Sequence, residues 1–310
     1  MGRGVGPEEL AQRSIDIALM QSATAFDLSA KSERRRSARH LAKFFLRGAK
    51  ALDVDLFIEI GAKEATASQR ARSYLPEARV VAFEANPFTF ERFKASFPES
   101  SRIEYHNLAI RDASGPVTFN VRQHDAGDVR ADGHGSLLER DDRYPHDFTE
   151  VTVASTSLDR FFEDVSFKRC AMWIDVEGAA EAVLSGGGSV VSRAAIIMIE
   201  VEDWPLWKGS WTMPQVLAWL RGAGFVPVSR DFEYRYQYNL VFVHESFLDD
   251  AGLRWRLTQH FSECAVAAPW LQSDVEAREA AQDGKERGRA FTSFVGGLLS
   301  KIRVHLTREA

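Results

Sequence analysis

Between Leu56 and His244 the chain alternates short apolar runs with longer stretches in which apolar positions recur every three or four residues. That rhythm predicts strands and helices in alternation. The runs LFIEI (56–60), RVVAFEA (79–85), RIEYHNLA (102–109), PVTFNVR (116–122), VTVAS (151–155), AMWIDV (171–176) and AAIIMIEV (194–201) read as strands. FVPVSR (225–230) and YNLVFVH (238–244) read as a final antiparallel pair that closes the sheet. Helices fit at 65–75, 88–96, 157–163, 178–184 and 213–222. Three of the runs are apolar almost throughout yet end in an acid, at Glu59, Glu84 and Asp175. Such runs suit parallel strands covered on both faces, and ligands of open α/β sheets bind at the carboxyl ends of the strands.

The flanks are helical in pattern. LAQRSIDIALM and, after the charged SERRR, ARHLAKFFLRGAK predict two helices between residue 8 and about residue 50. Residues 250–310 read as a helical appendage. Near its end Phe291, Phe294, Val295, Leu298, Leu299 and Ile302 form a helical stripe flanked by Arg287, Arg289, Lys301 and Arg303. A basic amphipathic helix can lie on a membrane surface or dock a partner, but packing on its own domain or in a homodimer is the commoner arrangement. The expected division is an N-terminal helical segment (1–50), a ligand-binding α/β domain (51–248) and a C-terminal appendage (249–310). Residues 123–150 form a long polar loop of the kind that serves a site.

Charge narrows the partners. The 39 basic and 44 acidic residues leave a net charge of −5, which argues against nucleic acid, whose phosphates call for a clustered basic face. Cys170 and Cys264 match no metal spacing, so a reducing cytoplasm is the expected location. The opening MGRGVGPEELAQR lacks the apolar core of a signal peptide. No apolar run approaches the ~20 residues of a transmembrane span.

The stretch DLFIEIGAKEATAS, Asp55 to Ser68, combines a strand, an acidic tip, a glycine turn and a helix start. Of the G-x-G-x-x-G pattern that lets a pyrophosphate approach the backbone, only Gly61 is present. A cofactor without phosphates asks less: one glycine for close approach, and an acid on the next strand for a ribose. S-adenosylmethionine meets that description, with Glu84 placed to accept hydrogen bonds from the ribose diol. On this stretch alone a generic α/β enzyme is equally open.

The later blocks VVAFEANP, NLAIRDASG, TSLDRFF and WIDVEGAAEAVLSGG follow in order. With them the chain, over about residues 55–245, resembles the FkbM-type S-adenosylmethionine-dependent methyltransferases. Their usual blocks read D-x-G-A-N-x-G, E-P-N-P, N-x-A-x-x-D-x-x-G, T-x-D and K-x-D-x-E-G-x-E. The resemblance implies a class I methyltransferase fold: a Rossmann-like, mostly parallel sheet with an antiparallel edge, helices on both faces and helical appendages. It implies that Glu59, Gly61, Ala62 and Lys63 stand at the cofactor loop, Glu84 at the ribose acid with Asn86 and Pro87 after it, and Asn107, Ala109 and Asp112 in the block that lines the adenine. Asp175, Glu177, Gly178 and Glu181 fall in the most diagnostic block, and Gly135 and Ser136 match a Gly-Ser element that precedes it. The chain departs from the pattern at Lys63 for asparagine, Ala65 for glycine, Ala85 for proline and Trp173 for lysine.

Asp175 is the candidate base for a hydroxyl acceptor, with an orienting role toward the cofactor as the alternative. Glu177 is expected to cap the next helix, and Glu181 to be structural or solvated. Glu200, Glu202 and Asp203 lead into WPLWKGSW, where Trp204, Trp207 and Trp211 beside carboxylates suit a sugar or serve as core packing. The candidate substrate contacts are Ser136, Glu200 and Trp204. His124, Asp125, Asp128, Asp132 and His134 fit no firm ligand spacing, so no metal is expected; His244 is expected in the core or on the surface. The expected activity is O-methylation of a sugar or glycan hydroxyl. A small natural product such as a polyketide is the alternative acceptor, and a silent cofactor- or partner-binding module is the alternative role.

Overall fold

The computed structural model describes residues 26–122, 134–144 and 147–266. Residues 53–219 form one compact unit, and those up to 52 form a second with those from 220 onward. The predicted first helix, the polar loop carrying His124, Asp125, Asp128 and Asp132, and the C-terminal stripe lie outside the described residues.

The described chain opens with helix α1 (Lys31–Ala51). The SERRR stretch, expected to precede this helix, is its first turns: its arginines and glutamate occupy the face left over when Leu41, Phe44, Phe45 and Leu46 are buried. There follow β1 (Leu56–Ile60), α2 (Thr66–Tyr74), β2 (Arg79–Glu84), α3 (Pro87–Phe93), β3 (Ile103–Asn107), β4 (Ala109–Ile110), β5 (Gly115–Arg122), β6 (Phe148–Thr156), α4 (Leu158–Phe161), β7 (Cys170–Ile174), α5 (Ala180–Ser185), α6 (Gly188–Val191) and β8 (Ala194–Glu202). After these come α7 (Met213–Gly222), β9 (Phe225–Arg230), β10 (Gln237–His244) and α8 (Ala251–Val266).

In the unit of residues 53–219, five parallel strands lie in the order β3-β2-β1-β7-β8. The chain steps outward from β1 to β3, then returns to the other side of β1 at β7. With right-handed crossovers, that reversal puts helices on opposite faces of a mostly parallel sheet, with a switch point between β1 and β7. Burial follows the apolar runs: Phe57, Ile58, Val80, Val81, Phe83, Met172, Ile174, Ile196 and Ile197 are fully buried. Each such side chain contributes about 1.5–3 kcal/mol. The run 102–109 does not form one strand. It breaks at Leu108, whose N–H donates to the Glu84 carbonyl (3.1 Å). The runs 116–122 and 151–155 leave the main sheet altogether and build a second, three-stranded one, ordered β4-β6-β5. Their alternating burial fits a sheet with only one covered face.

In the other unit β9 and β10 pair antiparallel, as expected. Helix α1 is held to α8 by Lys43 and Arg47 on Glu263 (3.0 and 2.7 Å) and by Phe44 stacked on His260. Burial drives His260 down to about 3, so it is neutral; its Nε2 lies 3.0 Å from the Ser229 hydroxyl. His244 binds Ser246 and caps a short turn. Among the described residues no helix is long and apolar enough to cross a membrane.

Candidate active site

The strand registers line up one row of residues across the carboxyl edge of the parallel sheet. Glu84 pairs with Asn107, Ile60 with both Phe83 and Ile174, and Ile174 with Ile199. One step further along each strand, the row reads Asn107, Glu84, Gly61, Asp175, Glu200. The ladder continues into it: the Gly61 N–H donates to the Phe83 carbonyl (3.0 Å) and the Asp175 N–H to the Ile60 carbonyl (2.9 Å). Paired residues of adjacent strands share a face, about 4.8 Å apart. The row is therefore a line of polar side chains with a gap at its centre, where Gly61 has none.

Gly61 is required by its surroundings. It has φ +80°, and a Cβ there would lie 1.7 Å from the Asp175 carbonyl oxygen. Around it, the turn's donors are already engaged. Ala62 N–H also donates to Phe83, Lys63 N–H to Glu84 Oε2 (2.6 Å) and Ala65 N–H to Ala62. Glu59 lies beneath the loop and accepts from the N–H groups of Ala67 and Ser68 (3.3 and 2.7 Å), so it caps α2. A pyrophosphate needs such N–H groups free; this turn has used them, and it suits a ligand without phosphates.

Glu84 is held at both ends. Oε2 accepts from Lys63 and Oε1 from the Asn86 N–H (2.7 Å), which leaves a lone pair on each oxygen directed away from these bonds. Burial pushes the carboxyls of Glu59 and Glu84 up to about 7. Asn86 itself caps α3, its Oδ1 accepting from Phe88 and Thr89. Asn107 ties the end of β2 by donating to the carbonyls of Glu84 and Ala85 (2.8 and 3.2 Å), and Ala109 is buried in the second sheet. Lys63 and Ala65 both sit in left-handed backbone, at φ +48° and +51°. Those are the two positions where the sequence departs from asparagine and glycine, the residues that tolerate that conformation best. The Lys63 side chain is half exposed, with Nζ 3.8 Å from Glu64.

On the other side of Gly61 the carboxylates meet each other. Oxygens of Asp175, Glu177 and Glu200 all lie within 4.8 Å of one another. Burial raises the Asp175 carboxyl, while a hydrogen bond with Glu200 and the charges of His134 and Lys63 draw it down. Glu177 does not cap α5, which has no side-chain cap; it stands at φ +46°, turned toward Asp175 and Glu200. Next to it Gly178 (φ +84°) lies flat on Trp207: a Cβ would fall 2.5 Å from the ring. Trp207 is wholly buried, so it belongs to the core, while Trp204 is half exposed (50 %). Glu202 is buried, accepts from the Leu206 N–H and is raised by burial to about 7. The Ser136 hydroxyl, a candidate substrate contact, donates to the Glu177 carbonyl (2.6 Å) and is buried; it ties segment 134–144 to the turn after β7. Gly135 packs flat against Phe119. The sequence gave no sign of this tie or of the Asp175–Glu200 contact; the shared register of β7 and β8 is the signal that could have revealed the latter.

Comparison with known proteins agrees with this architecture. The methyltransferase FkbM domain matches residues 55–227, more than half of the chain. The 2-O-methyltransferase NoeI of Sinorhizobium fredii is 21% identical over 168 residues, covering 52% of this chain and 69% of that protein. Among solved structures, methyltransferase FkbM from Methylobacillus flagellatus is 12% identical with a TM-score of 0.39, over 61% of this chain and 44% of that one. This chain thus spans less than half the length of that protein. The 1,6-didemethyltoxoflavin-N1-methyltransferase of Burkholderia thailandensis, solved with S-adenosylhomocysteine, is 12% identical with a TM-score of 0.31, over 64% and 78%. The chain belongs to the FkbM methyltransferase family, and it is an enzyme of the methyltransferase class.

Proposed function

We propose that the protein is an S-adenosylmethionine-dependent O-methyltransferase whose acceptor is a hydroxyl of a sugar or glycan intermediate. The observation that carries the cofactor is Glu84. It is a buried carboxylate fixed by two backbone N–H groups, with its remaining lone pairs available to a diol. The donor set fits the rest of that molecule. The edge offers acceptors and negative charge at Glu84, Asp175, Glu177 and Glu200, which suits a cation and hydroxyl donors, and the loop has no N–H groups left for a pyrophosphate.

When bound, S-adenosylmethionine supplies an electrophilic methyl group on a sulfonium. The chain supplies the rest. Glu84 would orient the ribose, Gly61 lets the ligand lie close over the row, and the carboxylates beyond it favour positive charge. Asp175 would take the acceptor's hydroxyl proton. Methylation at oxygen is supported by the name of the NoeI relative, a 2-O-methyltransferase. A sugar is supported by exposed Trp204 close in sequence to Glu200 and Glu202, since a ring's C–H face stacks on an indole while its hydroxyls bind carboxylates. The test is incubation with methyl-labelled S-adenosylmethionine and a panel of sugars and short oligosaccharides. Label in a base-stable methyl ether supports the reading. Label confined to nitrogen or carboxyl acceptors overturns the acceptor class, and absence of cofactor binding overturns the cofactor.

A further inference from the structure

The two halves of the strand-end row are neutralised differently. Glu59 and Glu84 each accept two backbone N–H groups. Asp175 and Glu200 instead stand side by side on adjacent parallel strands, one register step beyond the Ile174–Ile199 pair, and are hydrogen-bonded to each other. Ionised carboxylates only accept hydrogen bonds, so a bond between two of them contains a proton. Two like charges at that separation also repel strongly, which a shared proton relieves. The surroundings reinforce this. Glu177 adds a third carboxylate within 4.8 Å, and Glu59 and Glu84 face Asp175 across Gly61. Opposing them are only Lys63, half exposed, and His134.

Resting on the cofactor reading above, we propose that Asp175 and Glu200 share one proton in the absence of cofactor, and that a sulfonium cation beside the row displaces it. The base is then available only when the methyl donor is in place. The step is a simple acid dissociation. An O–H bond between the pair breaks, its electron pair stays on oxygen, and the proton goes to solvent. In the following transfer the pair accepts the acceptor's hydroxyl proton, so the enzyme returns to its starting protonation. Asp175 is the group that meets the acceptor, and Glu200 is a positioning residue that acts through it by setting when Asp175 is free.

S-adenosylmethionine and S-adenosylhomocysteine share the adenosine and amino-acid parts but differ in the sulfonium charge, so the pair of ligands isolates its effect. Each is titrated calorimetrically at pH 7 in buffers of differing ionisation enthalpy, with chelator present so that no metal ion competes. The slope of enthalpy against buffer enthalpy counts protons. The expected result is release of up to ~1 proton for S-adenosylmethionine beyond that for S-adenosylhomocysteine. The difference should fall toward zero in Glu200→Gln, which keeps a hydrogen-bonding side chain but removes the shared proton. Equal proton release for the two ligands in the wild-type protein overturns the proposal, whether or not the variant folds. A difference that persists in a folded Glu200→Gln protein overturns the assignment to this pair. Failure of S-adenosylmethionine to bind at all would instead strike the cofactor reading.

Discussion

On either side of Gly61, acids reach the same sheet edge from strands of the same kind, yet their environments differ. On the β1–β2 side, Glu59 and Glu84 are locked by backbone donors, and burial alone raises them to about 7. On the β7–β8 side, Asp175, Glu177 and Glu200 are held against each other, with few donors between them. The first arrangement fixes geometry and suits recognition of a rigid, neutral group such as a ribose. The second stores electrostatic tension that a cation or a proton relieves, and it suits chemistry. Gly61 joins the halves by letting their backbones approach.

The largest expected effect breaks the junction itself. In Gly61→Ala the methyl group meets the Asp175 carbonyl at 1.7 Å from a φ of +80°. Overpacking and left-handed backbone together should cost about 3–5 kcal/mol, read as a lower denaturation midpoint. A variant as stable as the wild type would mean the two turns do not approach as described.

Next is the chemical half. Asp175→Asn retains the shape and removes the basicity. Methyl transfer to an active saccharide acceptor should fall by ~100-fold or more while S-adenosylmethionine affinity changes little. Collapse of affinity together with turnover would move Asp175 to the orienting side of the comparison. Full activity would exclude both roles.

The smallest effect concerns Lys63, which borders both halves: its N–H holds Glu84 and its charge reaches Asp175. Lys63→Asn should stabilise the fold slightly, by ~0.5 kcal/mol, because asparagine accepts φ +48° more readily. It should also weaken cofactor binding by about 1 kcal/mol at low salt, through loss of a cation for the cofactor's carboxylate, with the loss shrinking as salt rises. Unchanged affinity at every salt concentration would leave Lys63 as a surface residue.

The recognition half was the more legible in the sequence. Apolar runs ending in Glu59, Glu84 and Asp175 announce buried parallel strands, and a lone glycine after the first announces a close approach. The bounds of α7 and the antiparallel pairing of β9 with β10 follow from local pattern too. What was hidden depends on pairing between distant segments. Strands β5 and β6 have ordinary alternating sequences, and nothing local says that they leave the main sheet. Ser136 looks like a site residue until its hydroxyl is seen on the Glu177 carbonyl. Trp204 and Trp207 are indistinguishable by composition, although one is half exposed and the other wholly buried. The meeting of Asp175 and Glu200 is set by register, which a linear reading of single strands does not contain.

The central claim is that the strand-end row holds S-adenosylmethionine through Glu84. The most direct measurement is calorimetric titration of the cofactor into wild-type protein and Glu84→Ala at pH 8, above the value of about 7 at which this carboxyl ionises. Loss of charge-assisted hydrogen bonds to the ribose should weaken binding by about 2 kcal/mol, roughly 30-fold, in a variant whose circular dichroism matches the wild type. The same affinity in both folded proteins would contradict the account.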